Sequence, residues 1–386
     1  MRLRILMMSD TTADPNRGAA GTEVQTLNAL RALGHEVDAL WAGDLGRRIG
    51  HGNLHLLLEL PRTYERAAVD ALRWKAYDII HVNQPHGFRA ARAVHRLSPK
   101  TAFIHRSHGF ELSAEETLRP WREIYGNETR GVTRRVASGV LAPMLARHGR
   151  AIAREADGHI VSASLDAAFL HERLGVPHER IAVIPQAAPD SYLRHDAPPM
   201  SAERLRRVLH VAQVAFFKAP MITAQAINRL SASDPALRFT WVCDRSSEGF
   251  IRAMLSSGAN ERFEVRHWMA QDELREVYDR HGTFLFPSFF EGFGKAFLEA
   301  MSRGLCAIAS DAGAMHDIID GDNGVLVPPG DAEALANAAL AIIRNPDAAS
   351  AMSTAAAQKA REFTWGRVGR ETAAFYQSRL DARAAV

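Results

Sequence analysis

Short apolar runs alternate with amphipathic stretches along most of the chain. The run "LRILMMS" reads as a first strand, "TTADPNRGAAG" as a glycine-bearing loop, and "TEVQTLNALRALG" as a helix. Thr22 with Gln25 three residues on has the pattern of a capping box, and Gly34 stands where a helix ends on a left-handed residue. "HEVDALWA" then returns as a strand, and "YDIIHVN", "TAFIHRSHG", "GHIVSAS" and "IAVIPQ" follow as further apolar runs between helical segments. Strands that are apolar throughout, each followed by a helix, predict a parallel sheet covered on both faces.

The pattern breaks at "DSYLRHDAPPMSAERL", where paired prolines and mixed polarity read as a linker. A second series then begins with "RRVLHVAQV", the helix "APMITAQAINRL" and the strands "RFTWVCD" and "FEVRHW". It continues through the helix "AQDELREVYDR", the strand "TFLFPS", a helix after "EGFG", the strand "LCAIASD" and a long alanine-rich helix. The fold class is therefore α/β with two Rossmann-like domains, and the 386-residue length agrees. The expected division is 1–190 for the first domain, 191–204 for the linker and 205–364 for the second domain. The final helix, 365–386, carries Trp365, Phe375 and Tyr376 as anchors. It either returns to the first domain or closes the second.

Composition narrows the class. A 47% hydrophobic and 24% charged chain is globular, and no run reaches the length of a membrane span. The start turns polar too soon for a signal peptide, and Cys243 and Cys306 both fall in apolar strands, so a reduced cytoplasmic setting is expected. Net charge is only +3, but Arg119 to Arg154 holds eight arginines against two acids. No aromatic stacking motif accompanies them, so nucleic acid is not expected as a partner. Arg147, Arg150 and Arg154 share a helical stripe, with Leu145, His148 and Ile152 on another. A solvated face is the simple reading; peripheral contact of the 119–154 segment with an anionic membrane is the sharper one. Pro143 would start or interrupt a helix there.

The most distinctive stretch is "FPSFFEGFGKAFLEAMSRG", residues 286–304, with Glu291 and Glu299 around a glycine-bracketed phenylalanine. A strand ends, the chain turns on "GFG", and a helix begins near Gly294. A helix start offers unpaired N–H groups and the positive end of its dipole, and glycine lets backbone approach an anion. Eight residues of helix rise about 12 Å. That spacing is too long for a glycosidase pair, whose carboxylates stand at most about 9.5 Å apart. Two such acids suit the ends of an extended ligand with an anionic middle, as in a nucleotide-sugar. Asp320-Gly321-Asp322 has the D-x-D form of some metal sites, but its place between helix and strand favours a tight turn, and no metal is expected.

The region "PSFFEGFGKAFLEAMSRGLCAIASDAGAMHDIIDGDNGVLVPPGD" resembles the E-x7-E region of retaining family-4 glycosyltransferases. "GAAGTEVQTLNALRALGHEV", "YDIIHV", "SHGFE", "ADGHIVSAS" and "FTW…FY" follow in that family's order, so the resemblance spans nearly the whole chain. It implies the GT-B fold, two Rossmann-like domains facing across a cleft. It also implies a donor held mainly by the second domain, an acceptor by the first, and no metal or other cofactor. By the same resemblance Glu291 would face the donor sugar and Glu299 the ribose hydroxyls. Gly292 and the amides around Phe293, Gly294 and Lys295 would hold sugar hydroxyls or phosphate. His108 would face the anomeric region, Gly21 and the Gly18–Gly21 loop the diphosphate or acceptor, and Lys218 the leaving diphosphate.

Some positions depart from the family pattern. Ala212-Gln213 stands where Gly-Arg is common, so Gln213 lines the donor site without the usual charge. Ala219 replaces the glycine after the lysine, Pro185-Gln186-Ala187 replaces Pro-Asn-Gly, and Ala314 and Asp317 replace glycine and glutamate. The expected activity is retaining transfer of a hexose from a nucleoside-diphosphate sugar, UDP- or GDP-linked, to a hydroxyl acceptor. The arginine- and alanine-rich composition suggests a GC-rich bacterium, so the acceptor is expected to be a glycan or lipid-linked intermediate of surface polysaccharide. The alternatives are a nucleotide-sugar epimerase of the same fold and a catalytically idle binding subunit.

Overall fold

The computed structural model describes residues 2–15, 18–126 and 132–385, with 132–142 as helical backbone only. The chain divides into two compact units: 1–185 with 365–386, and 186–364. Each is built on a six-stranded, all-parallel sheet.

The first unit contains β1 (Arg4–Met8), β2 (Glu36–Leu40), β3 (Ile79–Asn83), β4 (Ala102–Arg106), β5 (Gly158–Val161) and β6 (Ile181–Val183). Their order across the sheet is β2-β1-β3-β4-β5-β6. β3, β4 and β5 are buried at every position, because helices cover both faces. The helix Gly18–Ala32 starts four residues before the expected cap. Thr22 is thus inside it, its hydroxyl donating to the Gly18 carbonyl at 3.1 Å, and residues 18–21 form a helical turn rather than a loop. Gly34 does end the helix, at φ +86°. The helix Trp365–Ala384 belongs to this unit. Gly369 lies against Ala29 and Gly158 under the Phe375 ring, so close that a Cβ on either glycine would sit within 2.8 Å of its neighbour. Tyr376 hydrogen-bonds His81 of β3.

The second unit contains β7 (Arg207–Val211), β8 (Arg238–Cys243), β9 (Phe263–His267), β10 (Thr283–Phe286), β11 (Cys306–Ser310) and β12 (Val325–Val327), in the order β12-β11-β10-β7-β8-β9. The proline-bearing segment after Pro185 is seated on this unit. Arg303, 1% exposed, donates to the carbonyls of Tyr192, His195 and Asp196, and Arg204 to those of Pro199, His281 and Arg303. The alanine-rich tail is two helices, Ala332–Ile343 and Pro346–Ala360. Pro346 cannot continue the first, and the Asn345 side chain caps the second.

The helix Val132–Glu155 runs through Pro143 instead of stopping there. Arg147, Arg150 and Arg154 are exposed while His148 and Ile152 are buried. Arg130 and the side chains of Arg134 and Arg135 lie outside the described residues. Among the described residues no helix is long and apolar enough to cross a membrane. Cys243 and Cys306 are buried and free.

Candidate active site

In the second sheet β7 and β10 are neighbours, and the chain leaves them in opposite directions across the sheet. Their carboxyl ends therefore open a crevice at a topological switch point, the place where such sheets take ligands. The loop after β7 carries Gln213 and Lys218; the loop after β10 carries Glu291 through Gly294. Backbone bonds join the two, with the amides of Phe289 and Phe290 donating to the Phe217 carbonyl at 2.8 and 3.4 Å.

That seam brings Lys218 onto Glu291. The ammonium donates to Glu291 Oε1, and the Ser288 hydroxyl donates to the same oxygen at 2.8 Å. Lys218 Nζ also lies 5.0 and 5.3 Å from the ring centres of Phe286 and Phe217, a cation–π setting that limits its hydration. Glu291 is 6% exposed. Its backbone is approached so closely by Gly313, at φ +52°, that any Cβ on that glycine would collide with the Glu291 carbonyl.

Gly294 makes the turn into the helix Lys295–Ser302 at φ +87°, against the Phe286 ring and Met315 sulfur. The backbone must be left-handed there, and a side chain would be both strained and crowded. Gly292 and Phe293 are buried in the same turn. Glu299 lies one turn into the helix, so Glu291 precedes it and the two acids are not carried on one straight segment. Glu299 is 5% exposed and accepts from the Tyr278 hydroxyl at 3.1 Å. Burial pushes its carboxyl pKa up, while Lys295 and the Tyr278 bond pull it down; burial likewise lowers Lys295. Gln213 is exposed and presents no positive charge.

The first sheet has its own carboxyl edge. His108, in the turn after β4, meets Glu23 of the helix Gly18–Ala32 through Nε2 at 3.3 Å, and Thr11 donates to the same carboxylate at 3.0 Å. The turn itself is held by Asp166, which accepts from the Phe110 amide at 3.1 Å and is pushed by burial up to about 6. Arg106, fully buried, donates to Thr26 at 3.1 Å, and burial lowers it to about 10. Gly21 lies on the 14–15 segment, where a Cβ would be 2.5 Å from the Pro15 carbonyl, so its smallness serves the chain's own packing. Asp320 closes the tight turn by accepting from the amides of Asp322 and Asn323 at 3.2 and 3.3 Å.

The sequence pattern did not reveal Ser288, Tyr278, Gly313 or Glu23 as parts of these sites. The apolar runs do not state strand order, and strand order is what makes neighbours of the loops after β7 and β10.

Residues 18–191 match the family model "Glycosyltransferase Family 4", and 206–345 match "Glycosyl transferases group 1". The chain belongs to the family-4 glycosyltransferases. A D-inositol 3-phosphate glycosyltransferase from Nocardia farcinica (strain IFM 10152) is 27% identical over 231 residues, 55% of this chain and 51% of that one. The chain spans about half or less of the length of the curated relatives it matches. Sucrose-phosphate synthase from Thermosynechococcus elongatus superposes with a TM-score of 0.76 at 20% identity, over 99% of this chain and 100% of that one. Anabaena HepE in complex with UDP gives 0.68 at 17% identity, over 97% and 100%. Both likenesses concern fold, which is GT-B.

Proposed function

We propose that this glycosyltransferase moves a hexose from a nucleoside-diphosphate sugar to a hydroxyl acceptor, with retention at the anomeric carbon. The observation that carries the reading is the convergence of Lys218, Glu291 and the Gly294 turn at the β7/β10 switch point. Both bonds to Glu291 land on Oε1, so Oε2 is the oxygen that meets a sugar hydroxyl. The turn and the first amides of the helix receive phosphate, Lys218 offsets charge as diphosphate departs, and Glu299 accepts from ribose hydroxyls. In the proposed step the acceptor oxygen bonds to the anomeric carbon as the bond from that carbon to phosphate oxygen breaks. The acceptor's proton passes to the departing phosphate oxygen on the same face, so no enzymic nucleophile is required.

The acceptor would be a glycan or lipid-linked intermediate of bacterial surface polysaccharide, met by the first unit and its His108 edge. The setting would be cytoplasmic, with the exposed arginines of the 132–155 helix resting on anionic lipid. No metal takes part in this scheme. Activity unchanged by a chelator, and co-sedimentation with anionic vesicles at low salt, are the outcomes that go with it.

The deciding experiment is a thermal-shift panel of nucleoside diphosphates and their sugars, with Glu299→Ala as control. A native-state ligand raises the melting temperature by mass action. A shift with one nucleotide family, lost in the variant, supports the reading, and the anomeric configuration of the product by NMR then tests retention. No shift with any of them favours the idle subunit, for which the uncharged Gln213 is the specific observation. Conversion of the donor sugar without acceptor would favour an epimerase.

A further inference from the structure

The helices Leu60–Trp74 and Phe88–Leu97 of the first unit pack side by side, tied by Arg89 Nε donating to Glu65 at 2.7 Å. The end of the helix Val132–Glu155 joins them through Arg92 Nη2, which donates to Glu155 at 2.9 Å. Between the three lies an open cavity of about 470 Å³, lined by Glu65, Arg89, Arg92, His95, Arg96 and Glu155. Its size is that of a small-molecule site. The proposed transfer makes no use of it, since Lys218, Glu291 and Glu299 belong to the other unit.

Arg89, Arg92 and Arg96 recur at intervals of three and four residues, so one face of the short helix carries all three. Most of their donors are unspent. Arg89 is held through Nε alone and Arg92 through one Nη alone, and among the described residues Arg96 has no partner. His95 adds nothing to the surplus, because its Nε2 meets Asp157 at 3.0 Å. Three guanidinium groups thus face two carboxylates. The helix dipole accounts for Arg96 in the last turn, where a cation is favoured, but not for Arg89 in the first, where it is disfavoured. The Phe88 ring, its centre 5.7 Å from the guanidinium carbon of Arg92, keeps that side chain in place. Ion pairs as exposed as these are worth little, so the arginines can exchange carboxylate for another anion at small cost.

We propose that this cavity is a phosphate-binding site, in which the free nitrogens of Arg89, Arg92 and Arg96 hold the phosphate group of a soluble metabolite or of a lipid headgroup. Planar guanidinium forks match phosphate oxygens two at a time, which an ammonium cannot do. A lipid would find an apolar contact beside it. Trp74, 91% exposed, and Leu97, 59% exposed, end the two helices a few residues before β3 and β4, so both lie at the amino edge of the sheet. The site is independent of the donor reading and stands or falls without it.

The test follows hydrogen exchange in residues 88–97 with inorganic phosphate, glycerol 3-phosphate, and vesicles of phosphatidylglycerol or of phosphatidylcholine, all at one ionic strength. The expected result is slower exchange there with inorganic phosphate, and an affinity that falls roughly 5- to 30-fold when Arg92→Gln and Arg96→Gln are combined. Nucleotide affinity stays as in the wild type. Both side chains are exposed, so the double variant remains folded, which its unliganded melting temperature checks. Protection by glycerol 3-phosphate without vesicle binding assigns a soluble ligand. Preference for phosphatidylglycerol over phosphatidylcholine, weakened also by Trp74→Ser, assigns a lipid one. No protection of 88–97 by any of the four overturns the proposal, and so does an affinity that the double variant leaves unchanged. Vesicle binding that survives in that variant overturns this site and leaves the lipid contact to Arg147, Arg150 and Arg154.

Discussion

The carboxyl edge of the second sheet holds its charges in pairs, Lys218 on Glu291 and Lys295 beside Glu299. The first unit instead buries neutral imidazoles. His81, His86 and His159 are each driven by burial to about 3, and His105 is held well below its ordinary range. They pair with each other, His86 with His148 at 2.9 Å and His105 with His159 across the strands at 3.1 Å. In the second unit burial lowers only His210 and His281 among the described histidines, both to about 4. A side chain held by an opposite charge at the surface of a crevice can be redirected to a ligand, whereas a buried neutral imidazole mainly resists protonation. One unit therefore keeps paired charges at its carboxyl edge, and the other carries a sensitivity to acid.

The largest expected effect follows from this contrast. A histidine whose folded pKa is depressed contributes stability that is lost as pH falls through the unfolded value near 6.5 toward the folded one near 3 or 4. At pH 5 a group held near 3 or 4 costs about 2 kcal/mol; the first unit has three of these, with His105 depressed as well, and the second has two. Asp166 and Glu111 work the other way, since pKa values raised to about 6 and about 7 add stability as pH falls through them, but they are two groups. Hydrogen exchange from pH 7 to 5, corrected for intrinsic rates, should show β3–β5 losing protection before β7, β10 and β11. Equal loss in both sheets would break the comparison.

Next in size is the Lys218–Glu291 pair. Lys218→Ala should lower the transfer rate about 10²- to 10³-fold, as removal of a charge-stabilising donor does. It should also lower stability by about 1–3 kcal/mol, because Glu291 remains buried with Ser288 as its hydrogen-bond donor. Lys218→Met with Glu291→Gln should recover most of that stability and none of the activity. Transfer at the wild-type rate in Lys218→Ala would remove the lysine from the mechanism.

Glu299→Gln sharpens the point from the side of stability. Burial raises the Glu299 pKa, so the folded state holds this proton more tightly than the unfolded chain. Its contribution is fully present below the unfolded carboxylate value and fades as pH rises through the folded one. The amide keeps the Tyr278 bond without the charge. The variant's melting temperature relative to wild type should therefore climb between pH 4 and 8, while nucleotide affinity falls roughly 10- to 100-fold. A pH-independent difference would mean that Glu299 ionises as freely folded as unfolded.

Much of this architecture was legible because strands of a parallel sheet covered on both faces leave apolar runs, and all six such runs of the first half became strands. Glu291, Gly294 and Glu299 were legible for a different reason: a left-handed turn into a helix leaves a glycine where no other residue fits. The Lys218–Glu291 contact was not, since it depends on β7 and β10 being neighbours, a fact of strand order. How the 191–204 segment is anchored was not legible, since paired prolines read as a linker and its anchors, Arg204 and Arg303, are single arginines in the sequence that become clamps only when buried. Thr22 misled because its hydroxyl has a second local partner, the carbonyl four residues back.

The smallest effect concerns a departure in the sequence that the structure turns into a measurable strain. Ala219 stands next to Lys218 in the left-handed region, φ +50° and ψ +54°, and is fully buried. A Cβ in that conformation costs about 1–2 kcal/mol, and glycine would remove the cost. Glycine also loses more freedom on folding, by about 0.5–1 kcal/mol, so the two terms nearly offset. Ala219→Gly should thus be neutral to about 1 kcal/mol stabilising, a melting-temperature change of at most a few degrees. Alanine to glycine at a buried position ordinarily destabilises, so the sign alone is informative. A clear loss would mean that residue 219 leaves the left-handed region in solution, and with it the turn that aims Lys218 at Glu291.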